Sequence, residues 1–290
     1  MKQLTGCGTA LVTPFKADGS VDYAAYAETV KRQVAAGIHF LVPLGTTAET
    51  PCLSDEEKVE LLKITREHAQ GLPLVVGAGT NSLAGTLRNM ALLEPYGVDY
   101  FLVVAPYYNK PTQQGLYAYY KAVAAATEKS IILYNVPGRT GVNITAETTL
   151  ALANEVENIV AIKEASGNYA QISRIIKDKP EGFSVLSGND DETLSLMATG
   201  AQGVISVASN VAPAQMVALT EALLKDDMPA ARALHYQLMS LFKNCFVESN
   251  PIPAKAAMSL LGLMENELRA PLTPATDSTI ELMKKTLAEL

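Results

Sequence analysis

The sequence predicts a (β/α)8 barrel followed by a C-terminal helical extension, and three observations carry that reading. Short apolar runs rich in β-branched residues alternate regularly with longer stretches of helical period over about the first 210 residues. These runs show little in/out alternation, as expected of parallel strands covered by helices on their outer side. Beyond residue 207 the strand-like runs stop and only helical periodicity continues. Eight strand–helix repeats in that length fit a closed barrel.

The strands are predicted at 9–13, 40–44, 74–77, 100–104, 131–134, 159–163, 184–186 and 203–207. Amphipathic helices are predicted over 22–36, 54–70, 82–96 and 112–128, the second opening on Ser54 and Glu57 in capping-box spacing. A doubly wound open sheet competes with the barrel, but it calls for a Gly-rich phosphate loop after an early strand. Gly77-Ala78-Gly79 begins such a loop, and Ser82 stands where its third glycine belongs. The expected division is a catalytic barrel over 1–210 and a helical part over 211–290. Breaks in the latter are expected at 227–229, 250–253 and 270–274, and no flexible linker precedes it.

Composition narrows the function classes. Apolar residues make up 48% and charged residues 18% of the 290, the mix of a folded globular chain. The net charge is −7 without any Lys/Arg block, which speaks against a basic face for nucleic acid. No apolar run approaches the ~18 residues that span a bilayer. Cys7, Cys52 and Cys245 are far apart and odd in number, suggesting neither a disulfide framework nor a zinc site. The opening Met1-Lys2-Gln3-Leu4-Thr5-Gly6 shows no signal-peptide core, so a reducing, cytoplasmic location is expected.

In a barrel, chemistry sits at the C-terminal ends of the strands. There the sequence places Gly45-Thr46-Thr47-Ala48-Glu49, Ala105-Pro106-Tyr107-Tyr108-Asn109, Tyr134-Asn135-Val136-Pro137-Gly138-Arg139, Ile162-Lys163-Glu164 and Ser187-Gly188-Asn189-Asp190. Lys163 is the most informative, because it ends an apolar strand where a lysine loses hydration of its charged form. A free amine there can attack a carbonyl and form a Schiff base. The alternative is a strand-end lysine paired with Glu164 or another carboxylate. Tyr134 is either a proton relay at the same mouth or a core aromatic. Thr46 and Thr47 offer hydroxyls and N–H groups for a small carboxylate, or ordinary turn chemistry. Arg139 offers a two-point carboxylate clamp, or a surface salt bridge.

Taken in order, Gly45-Thr46-Thr47-x-Glu49, Tyr107-Tyr108-Asn109, Tyr134-Asn135-Val136-Pro137-x-Arg139-Thr140-Gly141, Ile162-Lys163-Glu164-Ala165 and Gly203-Val204-Ile205-Ser206-Val207 resemble the dihydrodipicolinate synthase family. The resemblance extends through Asn250-Pro251-Ile252-Pro253-x-Lys255, over essentially the whole chain. It implies a pyruvate-dependent class I aldolase chemistry in lysine and diaminopimelate biosynthesis. Pyruvate and L-aspartate 4-semialdehyde would be joined through a Schiff base on Lys163, with no metal or organic cofactor. The resemblance also implies roles: Thr47, Ile205 and Gly188 around pyruvate, Arg139 on the second substrate's carboxylate, and Tyr134, Thr46 and Tyr108 as a proton relay. Tyr108 would enter a neighbouring subunit's site within a homotetramer built as a dimer of dimers. The sister reading is an N-acetylneuraminate or 2-keto-3-deoxy sugar acid lyase, which lacks the arginine that Arg139 resembles. A non-catalytic barrel that only binds keto acids is the other class.

Two departures stand out. Ala48 replaces a glycine of the Gly-x-x-Gly-Glu pattern, which requires a negative φ at that position. The site for feedback by L-lysine keeps Asn81 but has Gly85 in place of a glutamate, with Asp55 and Lys58 in place of histidines. Weak or absent inhibition by L-lysine is therefore expected.

Overall fold

The computed structural model describes residues 3–290, so Met1 and Lys2 of the opening segment lie outside it. Eight parallel strands follow one another around a barrel: β1 (Gly6–Ala10), β2 (Phe40–Val42), β3 (Val75–Gly77), β4 (Tyr100–Val104), β5 (Ser130–Asn135), β6 (Ile159–Glu164), β7 (Ser184–Ser187) and β8 (Gly203–Ser206). β1 pairs with both β2 and β8. A single bridge from Leu41 to Leu74 joins β2 to β3 and closes the ring.

Side chains alternate between two apolar layers. On β5, Ile132 and Tyr134 point into the barrel with Phe40, Val75, Leu102, Leu186 and Ile205. Ile131 and Leu133 point outward, against the helices. This two-sided burial is why the strands read as continuous apolar runs.

The predicted helices form with the caps their sequences provide. Asp22, Ser82 and Thr112 cap helices Tyr23–Ala35, Leu83–Leu93 and Gln113–Ala124. Ser54 and Glu57 close a full capping box on Asp55–His68, at 3.2 and 2.9 Å. The C-terminal part holds helices Pro213–Leu224, Met228–Asn244, Ile252–Leu260 and Asp277–Ala288. Pro229 and Pro253, expected as breaks, sit in the first turns of two of them, where a missing N–H costs nothing.

β1 begins and ends three residues earlier than the sequence pattern suggests. Gly6 and Gly8 interrupt the apolar run, yet the close approach of other groups requires glycine there. A Cβ on Gly8 would stand 2.0 Å from the Phe40 ring, and one on Gly6 would stand 2.4 Å from the His39 ring. The segment around Arg139 forms a one-turn helix, Pro137–Thr140. Proline opens it, and Gly141 in the left-handed region (φ 71°) closes it. No helix among the described residues is long and apolar enough to cross a membrane.

Candidate active site

The C-terminal ends of β5 and β6 lie side by side, with Tyr134 in register with Lys163. Both side chains are only 6% exposed, and Lys163 Nζ stands 4.3 Å from the centroid of the Tyr134 ring. Glu164 does not pair with this lysine. Its carboxylate turns to the other face of the strand and accepts from Asn135 Nδ2 (3.0 Å), the Ser166 N–H (3.0 Å) and Gln171 Nε2 (3.1 Å). Burial nevertheless holds the Glu164 carboxyl above the usual glutamate range, against the pull of those donors. The pairing with Glu164 is thereby removed; Lys163 is a buried amine facing an aromatic ring, and the carboxylate that feels its charge is the buried Asp190.

Gly188, just past β7, packs against the Lys163 stem: a Cβ there would lie 3.1 Å from Lys163 Cε. Ile205, on β8, is fully buried in the same interior layer as Tyr134 and Leu186. Beside Ile205's strand, the buried Asp190 accepts the N–H groups of Val207 (3.0 Å) and Ala208 (2.9 Å), fixing the turn that leaves β8.

Thr46 and Thr47 lie in a tight 3-10 turn, Thr46–Ala48, after β2. Ala48 is not among the residues with positive φ; the left-handed residue is the next one, Glu49 (φ 54°). The condition on Ala48 is therefore met. Thr47 is buried, and its Oγ1 accepts from Asn250 Nδ2 at 3.0 Å. Arg139 is exposed, and its Nη2 donates to the Asn250 carbonyl at 3.4 Å. Thr46, Tyr134 and Arg139 line one cavity of about 500 Å³ at the barrel mouth, together with Asn250, Tyr107, Lys58 and Arg88.

Tyr108 is not brought to this cavity. It is 87% exposed and holds a left-handed backbone (φ 72°) beside Tyr107, which does line the cavity. At the positions compared with a lysine-feedback site, Asp55 and Lys58 form an ion pair at 2.9 Å, and Gly85 packs near Thr80 and Ser82.

Two groups at the mouth were given no role from the sequence. Lys255 is fully buried, with Nζ donating to Glu49 Oε1 (2.8 Å) and to the Thr13 carbonyl (2.9 Å). Burial lowers its pKa from 10.5 to about 8, with Glu49 pulling the other way. The signal was available: Lys255 is embedded in apolar Ile252-Pro253-Ala254-Lys255-Ala256-Ala257-Met258, much as Lys163 ends an apolar strand. Asn250 carried no comparable signal, because its partner Thr47 is 203 residues away.

Comparison with known proteins identifies the family and matches the fold. The pattern defining the Dihydrodipicolinate synthetase family matches residues 3–290. The 4-hydroxy-tetrahydrodipicolinate synthase of Thermotoga neapolitana is 49% identical over 288 residues, covering 98% of each chain. A crystal structure of dihydrodipicolinate synthase from Thermotoga maritima superposes with a TM-score of 0.97 at 46% identity, covering 99% of this chain and 98% of that one. A monomeric variant of dihydrodipicolinate synthase gives the same TM-score and identity, covering 99% of this chain and 96% of its own. With the family pattern matched nearly end to end, and relatives close to half identical over their full length, the chain belongs to the dihydrodipicolinate synthetase family.

Proposed function

We propose that this chain is a lyase-class enzyme that condenses pyruvate with L-aspartate 4-semialdehyde through a Schiff base on Lys163, in the pathway to diaminopimelate and lysine. The observation that carries the reading is the buried Lys163 amine facing Tyr134, below a mouth furnished with Thr46 and Arg139. Lys163 Nζ attacks the pyruvate keto carbon, and water leaves to give an iminium. Loss of a methyl proton gives an enamine, whose carbon attacks the aldehyde and forms the new C–C bond. The semialdehyde's own amine then displaces Lys163 and closes the ring.

Tyr134 moves protons in the first and last stages, relayed through Thr46 and a partner subunit's tyrosine equivalent to Tyr108. Thr47, Gly188 and the Ile205 backbone surround pyruvate, and Arg139 docks the second carboxylate. Exposure of Tyr108 on a left-handed backbone supports a side chain offered to another subunit, as a homotetramer would require. Three free thiols fit the expected cytoplasmic location.

Borohydride reduction with pyruvate should add one pyruvate-derived mass to Lys163, and aspartate semialdehyde should be turned over in preference to N-acetylneuraminate. Arg139→Ala should lose most activity on the semialdehyde while still trapping pyruvate; full activity in that variant would return the sugar acid lyase reading. L-Lysine should not half-inhibit below about a millimolar, because Gly85 supplies no carboxylate at its position and Asp55 is already paired with Lys58. Titration of activity with L-lysine checks this.

A further inference from the structure

Helix Ile252–Leu260 belongs to the C-terminal part, yet it and the segment leading into it hold the turn that carries Thr46 and Thr47. Lys255 bonds Glu49 Oε1, and the other Glu49 oxygen accepts the Arg269 N–H at 3.0 Å. Both side chains of the Lys255–Glu49 pair are essentially sealed from solvent, at 0% and 1% exposure. Lys255 Nζ also lies 4.3 Å over the Phe15 ring. Glu49 directly follows the threonine turn and sits at φ 54°, ψ 36°, a conformation that a residue with a side chain adopts only when its surroundings enforce it. A buried ion pair anchored on two further backbone groups supplies that enforcement. Asn250 acts on the same turn from the other side, donating Nδ2–H to Thr47 Oγ1. That bond occupies a lone pair of the hydroxyl and leaves its proton for another acceptor.

We propose that Lys255 and Asn250 are positioning residues for the pyruvate-carboxylate grip: Lys255 fixes the turn through Glu49, and Asn250 directs the Thr47 hydroxyl proton toward the carboxylate. Neither touches substrate in this role. The inference rests on the function proposed above, in which Thr47 faces pyruvate. It makes the C-terminal helices part of the site's construction.

Two substitutions test it. Glu49→Gln with Lys255→Met removes both charges together and so leaves no uncompensated buried ion. Asn250→Asp keeps the shape and cannot donate, so the Thr47 proton turns back toward residue 250. The Asn250 backbone carbonyl, which Arg139 uses, survives that change. Both variants should raise the pyruvate KM about tenfold or more and slow borohydride trapping equally, while the semialdehyde KM stays within about twofold. A merely structural role would lower Tm with no split between the two KM values. Variants with wild-type pyruvate KM and trapping rate would overturn the proposal. If the double variant does not fold, Asn250→Asp decides alone. Wild-type trapping and semialdehyde turnover are the control: their failure would count against the proposed function, whereas their success with unsplit variants counts only against this inference.

Discussion

Gly188→Ala adds one methyl group at the point where the end of β7 meets Lys163. The new Cβ would stand 2.7 Å from Ala165 Cβ, 3.1 Å from the Glu164 carbonyl oxygen and 3.1 Å from Lys163 Cε. The backbone of Gly188 already donates to that same carbonyl at 2.7 Å, so the strand ends cannot simply separate. Its φ lies outside the left-handed region, which leaves overpacking as the whole cost. Overpacking of this kind costs about 1–3 kcal/mol, or roughly 2–10 °C of Tm for a chain of this size. The softest of the three neighbours is the Lys163 stem, so most of the displacement falls on the proposed nucleophile. A misplacement of about 1 Å at a reacting atom can cost on the order of a hundredfold in rate. The assay is the rate of borohydride-trappable pyruvate adduct on Lys163, measured by mass spectrometry beside a thermal melt. Trapping at the wild-type rate with an unchanged Tm would show that Gly188 does not pack on Lys163, and its place among the substrate-binding residues would be lost.

Two further outcomes are expected. Because burial raises the Glu164 pKa above 4.5, its contribution to stability is complete below the unfolded value and is lost as pH climbs through the folded one. Glu164→Gln cannot titrate, so its Tm should vary less with pH between the unfolded and folded values; parallel Tm–pH curves across that window would contradict the assignment. Burial also pushes the Cys7 and Cys245 thiols up, while Cys52 is half-buried at the cavity wall. A thiol reagent should therefore modify the native enzyme once, at Cys52, as peptide mapping would reveal.

Local features were readable in the chain. Apolar runs interrupted by amphipathic stretches announced eight strands, and Ser54 with Glu57 announced a capped helix, because each depends on neighbours within a few residues. Lys163 stood out because a charged residue ending an apolar strand is locally conspicuous. Where local rules and packing conflicted, the sequence misplaced the element: Gly6 and Gly8 read as interruptions, but Phe40 and His39 press on them and only glycine fits.

What the tertiary structure decided is which of these groups meet. Glu164 is Lys163's neighbour in sequence, but a strand sends adjacent side chains to opposite faces, and Asn135, Ser166 and Gln171 claim it. Thr47 and Asn250, or Glu49 and Lys255, are joined across more than 200 residues by bonds that leave no periodic trace. The sequence by itself determined the barrel and singled out Lys163, since apolar periodicity and a charged residue ending an apolar strand are local features. The surroundings of Lys163 and the cavity at the mouth depended on closing the ring and bringing the C-terminal part, with Asn250, Pro271 and Leu272, to that mouth, which only the assembled chain can do.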